Sequence, residues 1–359
     1  MASRGWLQRD LAFILGVPEQ SINLILSGKR NLSPEMALAL AAAFDTSREF
    51  FANLQQAYDL AHAREPDPKV AIRGRMQSRY PVREMARRGW ISPVGRAPLE
   101  EQLMRLFDVS FADEIPYLAG AAQPSRHEQR DIPPAELAWA FRVRQIAKSL
   151  SGSHYSEAAL RGALVQLEQL LLGPEQVRHV PPLLSECGVR FVVVEKLPGT
   201  NVDGACLWLG PDSPVIGITT RRDTIDNFWF VVRHEIEHVL NGDGKDAAVI
   251  DRLDGDRASA TSLSLSEPER RANAAAAAFC VPAAKIDSFM IRQKPHYDEK
   301  DVLAFAATHR RHPGLVVGHI QKRMDRRDYL PRHLVKVRNF LLPSAIVDGW
   351  GHVVAAGLL

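Results

Sequence analysis

From Ile225 to Leu240 the apolar residues Ile225, Phe228, Trp229, Val232, Ile236, Val239 and Leu240 recur at helical spacing. At about 100° per residue they fall within roughly 60° either side of Ile225, which predicts an amphipathic helix over about 223–241. The same helix carries His234-Glu235-Ile236-Glu237-His238, a His-Glu-x-x-His pattern that occurs once in the chain. Histidines four apart share one helical face, so their imidazoles can converge on one ion. Glu235, next to the first histidine, can reach a metal-bound water without being a ligand. A motif this short also arises by accident, and a pair of solvated surface histidines would fit the same spacing. Both histidines point away from the apolar stripe, yet Asn227, Phe230 and Val231 share their side, so this is not plainly a water face.

Catalytic zinc usually has three protein ligands and one open position. The candidate third ligand is Glu269, on a helix predicted at 267–279, with Asn273 one turn on as a partner for a ligand or histidine. Two other readings stand beside it. Ser266-Glu267-Pro268-Glu269 matches a capping box, in which Glu269 bonds back to the Ser266 amide. Glu267 could also be the ligand.

The 359 residues allow two or three domains. Residues 7–61 read as a run of short helices. Leu11, Ile14 and Leu15 recur at helical spacing and Gly16 closes that helix; Ile22, Ile25 and Leu26 mark a second; Ser33 caps a third that begins at Pro34; a fourth carries Phe50, Phe51 and Leu54. Glu65-Pro66-Asp67-Pro68 breaks the pattern, so a boundary is placed after residue 64. Residues 65–133 form a basic helical linker region, in which Arg73, Arg75, Arg79, Arg83, Arg87, Arg88 and Arg96 face a single acid, Glu84. Residues 134–345 make a mixed domain, with helices near 134–151, 156–172 and 176–187 and β-rich runs at 189–194, 205–209 and 215–219. After the two long helices, and a polar loop at 243–266 between them, further helices fall at 299–309 and 313–326. Residues 346–359 are left as a tail.

The formal charge of +3 is too small to argue for a nucleic-acid partner. Cys187, Cys206 and Cys280 stand far apart among apolar residues, as buried free thiols of a reducing compartment do. Met1–Arg9 has no signal-peptide core, and no stretch nears the roughly 20 apolar residues of a membrane span. A cytoplasmic protein with no membrane partner is expected.

Taken in order, Asn227-Phe228-Trp229-Phe230, the His234–His238 motif, Glu269-x-x-Ala272-Asn273, Pro282 and His312-Pro313-Gly314-Leu315-Val316-Val317-Gly318 resemble the ImmA/IrrE metallopeptidases over roughly 134–330. Arg271 and Ala275 depart from the family's usual acidic and aromatic residues. The resemblance implies zinc held by His234, His238 and Glu269, with Glu235 as general base. It also implies a protein substrate, a helix-turn-helix repressor or antitoxin whose loss switches on stress or mobile-element genes.

Residues 1–64 are similar to Xre/HigA-like helix-turn-helix domains, through Gln8-Arg9-Asp10-Leu11-Ala12, Leu15-Gly16-Val17, Ser21-Ile22-Asn23, Ser27-Gly28-Lys29-Arg30, Phe50 and Asn53-Leu54-Gln55. Leu7 replaces the usual N-cap hydroxyl, and Met1–Trp6 supply little of a first helix. By this resemblance residues 18–26 are the recognition helix. Gln20, Ser21 and Asn23 would meet bases, with Gln8, Lys29 and Arg30 near phosphate. Residues 1–64 hold six basic and six acidic side chains, a poor balance for neutralising DNA. A scaffold for protein recognition or a homodimer is the competing reading of this segment.

The fold expected is therefore α+β: an all-α helix-turn-helix bundle joined to a zincin-like peptidase domain with a small mixed sheet. That sheet, at 189–219, would border the cleft and offer an extended substrate an edge strand. The function expected is zinc endopeptidase action in gene regulation. The alternative is a DNA-binding regulator or antitoxin whose peptidase-like domain is a sensor or scaffold.

Overall fold

The computed structural model describes residues 1, 4–67, 69–92, 97–108, 132–253, 266–294, 296–349 and 352–354. It divides into two compact units, Met1–Val70 and Ala71–Leu359.

In the first unit α1 (Gln8–Leu15), α2 (Glu19–Leu26), α3 (Pro34–Phe44) and α4 (Phe50–His62) follow one another. Each boundary has a local cause. Asp10, at the third helical position, accepts the Leu7 N–H at 2.8 Å, the back-bonding half of a capping box, while Leu7 itself offers no side-chain acceptor. Gly16 closes α1 at φ 68°, a conformation that suits glycine. Ser33 accepts from the Met36 N–H and Pro34 occupies the first helical position of α3. Leu11, Ala12, Ile22 and Leu40 form the buried centre, with Trp6, Val17, Phe44 and Phe51 packed around it. Ile14, expected on the buried face, is 44% exposed, because the α1 stripe turns toward Leu11, Ala12 and Leu15.

The second unit is α+β. It opens with α5 (Lys69–Arg79), α6 (Val82–Arg87), α7 (Leu99–Phe107) and α8 (Pro134–Lys148), then α9 (Glu157–Gln169) and α10 (Val180–Glu186). Strands β1 (Arg190–Val194), β2 (Gly204–Trp208) and β3 (Pro214–Ile218) precede α11 (Ile225–Asn241). After β4 (Val249–Asp251) come α12 (Glu267–Cys280), α13 (Ala283–Gln293), α14 (Glu299–Thr308), α15 (Pro313–Met324) and α16 (Arg338–Leu341). Strands β5 (Ile346–Gly349) and β6 (His352–Val354) follow. The strand order is β4-β2-β3-β1-β5-β6, with β1 parallel to β3 and β5 and the other pairs antiparallel.

The sheet is covered on both faces. Alternate residues Phe191, Val193, Cys206, Trp208, Ile216 and Ile218 join the core that holds α11, while Val192, Val194, Ala205, Leu207 and Val215 face α8. Trp139 of α8 fastens the second layer, its Nε1 donating to the Val194 carbonyl at 3.0 Å.

Three expectations change here. Residues 71–107 are not a linker: Met76, Tyr80, Val82, Met85, Trp90, Leu103, Leu106 and Phe107 are buried in the same core as the α8 side of the sheet. The arginine count hid this apolar set, and Arg88 itself turns inward, donating to the Glu195 and Lys196 carbonyls at 2.6 and 2.8 Å. Arg87 and Arg88 share Glu84, so the basic run is no free stripe; Arg96 lies outside the described residues. Ile346–Gly349 is not a tail but a strand in register with β1. The runs at 189–219 are interior strands, since β4 and β5 flank them, and β4 forms the sheet edge on the β2 side. Its three residues are too few to show a period of two in sequence.

The three cysteines are buried and free. No single described helix is long and apolar enough to cross a membrane; α12 and α13 pass together on length and composition, but bend by 67° and bury Ala272, Ala276, Ile286 and Phe289 in the core.

Candidate metal centre

Helix α11 is buried on more than its apolar stripe. Phe228, Trp229, Val232, Ile236 and Val239 sit in the core as their spacing predicts, and His234, Glu235 and His238 are each 0% exposed. Burying two imidazoles and a carboxylate is costly unless they are partnered. The half-buried face runs through Asn227, Phe230, Arg233 and Glu237, and Arg233 donates to Glu237 at 2.7 Å.

Helix α12 packs against α11 through Ala272 and Ala276, both fully buried. Side chains this small let the backbones approach, and that brings the first turn of α12 to the histidines. The Ser266 hydroxyl accepts from the Glu269 N–H at 3.5 Å, the first half of the expected capping box. The Glu269 carboxylate lies at the histidines, Oε1 at 3.4 Å from His238 Nε2 and Oε2 at 3.7 Å from His234 Nε2. Glu267 instead pairs with Arg270 at the surface. His234, His238 and Glu269 are thus brought together, and Glu267 is not.

Two acids that the sequence did not single out complete the cluster. Asp243 lies just past Gly242, the left-handed cap of α11, and its N–H donates to the His238 carbonyl at 2.9 Å. The chain folds back there, and Asp243 Oδ2 accepts from His238 Nδ1 at 2.9 Å. Asp251, the last residue of β4, is 3% exposed and places Oδ2 at 3.3 Å from His234 Nε2 and 3.5 Å from His238 Nε2. Asn273 is half-buried one turn beyond Glu269, and none of the described hydrogen bonds involves it. The observed partner of His238 is Asp243.

The donor set fits a cation. With the proton of His238 held on Nδ1 by Asp243, the Nε2 lone pair faces His234 Nε2 at 3.0 Å and two carboxylates. Acceptors turned toward one another inside a protein need a positive charge between them, a bound cation or a proton on an imidazole. Ligating atoms from His234, His238, Asp251 and Glu269 all lie within 4.8 Å of one another. Imidazole and carboxylate together suit a divalent transition metal.

The electrostatics agree. Burial alone would lower the basicity of His238, but Glu269 and Asp251 outweigh it and push it up to about 9. Burial would raise Asp251, yet its contact with His234 and the charges of both histidines hold it down at about 2. Glu235 goes the other way: burial first, then Asp251, push its carboxyl well above the usual range. Neither carboxylate oxygen of Glu235 has a hydrogen-bond partner among the described residues. Residue 204, opposite the carboxylate, is glycine; a Cβ there would come within 2.1 Å of Glu235 Oε1 and displace it from this position.

In the first unit Gln8, Gln20, Asn23, Lys29 and Arg30 are exposed and Ser21 is half-buried. The predicted contact residues therefore reach the surface on and around α1 and α2, which a Gly16-Val17-Pro18 turn joins.

Comparison with known proteins agrees with both units. Residues 188–310 match the IrrE N-terminal-like domain of the peptidase M78 family, a narrower span than 134–330. Residues 1–51 match the helix-turn-helix family, so the chain has a helix-turn-helix plus ImmA/IrrE architecture. The same segment is 43% identical over 51 residues to the HTH-type transcriptional regulator YbaQ of Escherichia coli, in strain K12 and in an O6:H1 strain. That match takes in 14% of this chain and 45% of the length of those relatives.

Proposed function

We propose that the chain is a zinc-dependent endopeptidase of gene regulation, cleaving a helix-turn-helix repressor or antitoxin, with His234, His238 and Glu269 as ligands and Glu235 as general base. The observation that carries this reading is the buried convergence of two imidazoles and the Glu269 carboxylate, with Asp243 fixing the tautomer of His238. A zinc ion bound there supplies Lewis acidity to the scissile carbonyl and acidity to a water. Glu235 takes the proton of the attacking water and returns it to the leaving amine.

Residues 7–55 direct this activity to its place. Gln20, Ser21 and Asn23 read bases, and Gln8, Lys29 and Arg30 meet phosphate. A homodimer through α4 accords with Phe50, Leu54 and Tyr58, exposed at four-residue intervals. The site of action is the cytoplasm. Gln20→Ala with Asn23→Ala is expected to cost about 2–6 kcal/mol of sequence-specific DNA binding, read by mobility shift against specific and scrambled duplexes. Unchanged specificity would remove the recognition assignment.

The test of the peptidase reading is incubation of the full chain with candidate repressors. Zinc-dependent fragments that vanish on chelation support it, and repressors left whole with zinc bound oppose it. The second reading, a DNA-binding regulator with its peptidase-like domain as sensor or scaffold, is favoured by one feature, the acid Asp251 beside the three expected ligands.

A further inference from the structure

Four donors, not three, point into the centre. A tetrahedral zinc with bonds of about 2.0–2.2 Å holds its donor atoms about 3.3–3.6 Å apart. The separations here are 3.0 Å between the two Nε2 atoms, 3.3 and 3.5 Å from these to Asp251 Oδ2, and 3.7 and 3.4 Å to the oxygens of Glu269. Asp251 therefore stands to the histidines as Glu269 does. A hydrolytic zinc keeps one position for water, whereas a zinc with four protein donors is closed.

We propose that Asp251 is a fourth protein ligand that fills the water position, so that the centre as folded is closed and hydrolysis requires Asp251 to withdraw. The inference rests on the reading of His234, His238 and Glu269 as metal ligands.

The backbone holds Asp251 in this role. Its register partner on β2 is Gly204, the residue whose missing side chain leaves room for Glu235. One glycine thus seats the base and the fourth acid side by side. The Asp203 N–H donates to the Asp251 carbonyl at 2.8 Å, and Asp203 Oδ2 accepts from Leu253 N–H at 2.8 Å. Arg221 grips the same Asp203 carboxylate at 2.8 and 2.9 Å, and Arg252 pairs with the buried Glu136 at 2.6 Å. These contacts clamp the end of β4. Yet β4 is an edge strand of three residues paired only with β2, so freeing Asp251 breaks one short ladder and leaves the other five strands in place.

The test compares the full chain with Asp251→Ala and Asp251→Asn, each loaded with cobalt(II) in place of zinc. Exchangeable water on the cobalt is counted by proton relaxation, and zinc affinity is measured by competition with a chelating dye. The wild type is expected to bind one cobalt with no exchangeable water. Asp251→Ala is expected to gain one water and to lose about tenfold or more in zinc affinity, as does the isosteric Asp251→Asn, which spares the β4 pairing should alanine disturb it. A wild-type cobalt that already carries a water overturns the inference, as do two variants unchanged in water count and affinity. A wild type that binds no cobalt overturns the ligand reading beneath it, a result distinct from the other two.

Discussion

Glu235→Gln is expected to slow cleavage of a substrate repressor by about 10²–10⁴-fold while leaving one metal per chain. Glutamine has nearly the shape of glutamate, so it fits the same pocket beside Gly204. It cannot accept a proton from water. The metal should stay, because the donors that gather at the centre come from His234, His238, Asp251 and Glu269, none of which the substitution touches. Single-turnover cleavage with metal analysis of the same sample checks both halves. Equal rates for variant and wild type would mean that Glu235 is not the base. Loss of metal would mean that Glu235 holds the site together rather than serving its chemistry.

Trp229→Ala is expected to lower the stability of the second unit by about 3–5 kcal/mol, read as a fall in the denaturant midpoint. Trp229 is 0% exposed and packs edge-on to Phe228 at 5.3 Å and against Phe279 of α12 at 6.2 Å. It lies where α11 meets α12, so the cavity left by alanine opens at the joint that brings Glu269 to the histidines. Domains are stable by only about 5–15 kcal/mol, so this one side chain carries a large share. Val165→Ala, on α9 at 64% exposure, is the control and should change stability by no more than about 0.5 kcal/mol. A tryptophan variant as mild as the valine one would show that the α11–α12 joint repacks.

What the sequence made legible is what local periodicity encodes. The apolar stripe of α11, the four-residue spacing of His234 and His238, and the Ser33 and Ser266 caps all lie within one or two helical turns, and each forms where the residues predict. Glu269 was readable because it sits at a helix start with few alternatives. Asp243 had a usable signal that went unread: it follows Gly242, and a left-handed glycine cap turns the chain back on the last helical turn. Asp251 had none. It reaches the histidines through the pairing of β4 with β2, across the 47 positions that separate Asp251 from its register partner Gly204, and Val249-Ile250-Asp251 is too short to declare itself a strand. Gly204 is equally silent in sequence, since its meaning is the Glu235 carboxylate opposite it. The packing of the described residues between 76 and 107 is hidden for a related reason. Arginines dominate the composition there, while Met85, Leu103 and Phe107 acquire meaning only against the sheet they cover.

The central claim is a metal held by α11 and α12, and the metal content of the purified full chain tests it most directly. Elemental analysis after removal of loosely bound ions should find one zinc per wild-type chain and none, or nearly none, in folded His238→Ala. A wild-type chain free of zinc when supplied with it, or a His238→Ala chain that retains the wild-type amount, would contradict the account.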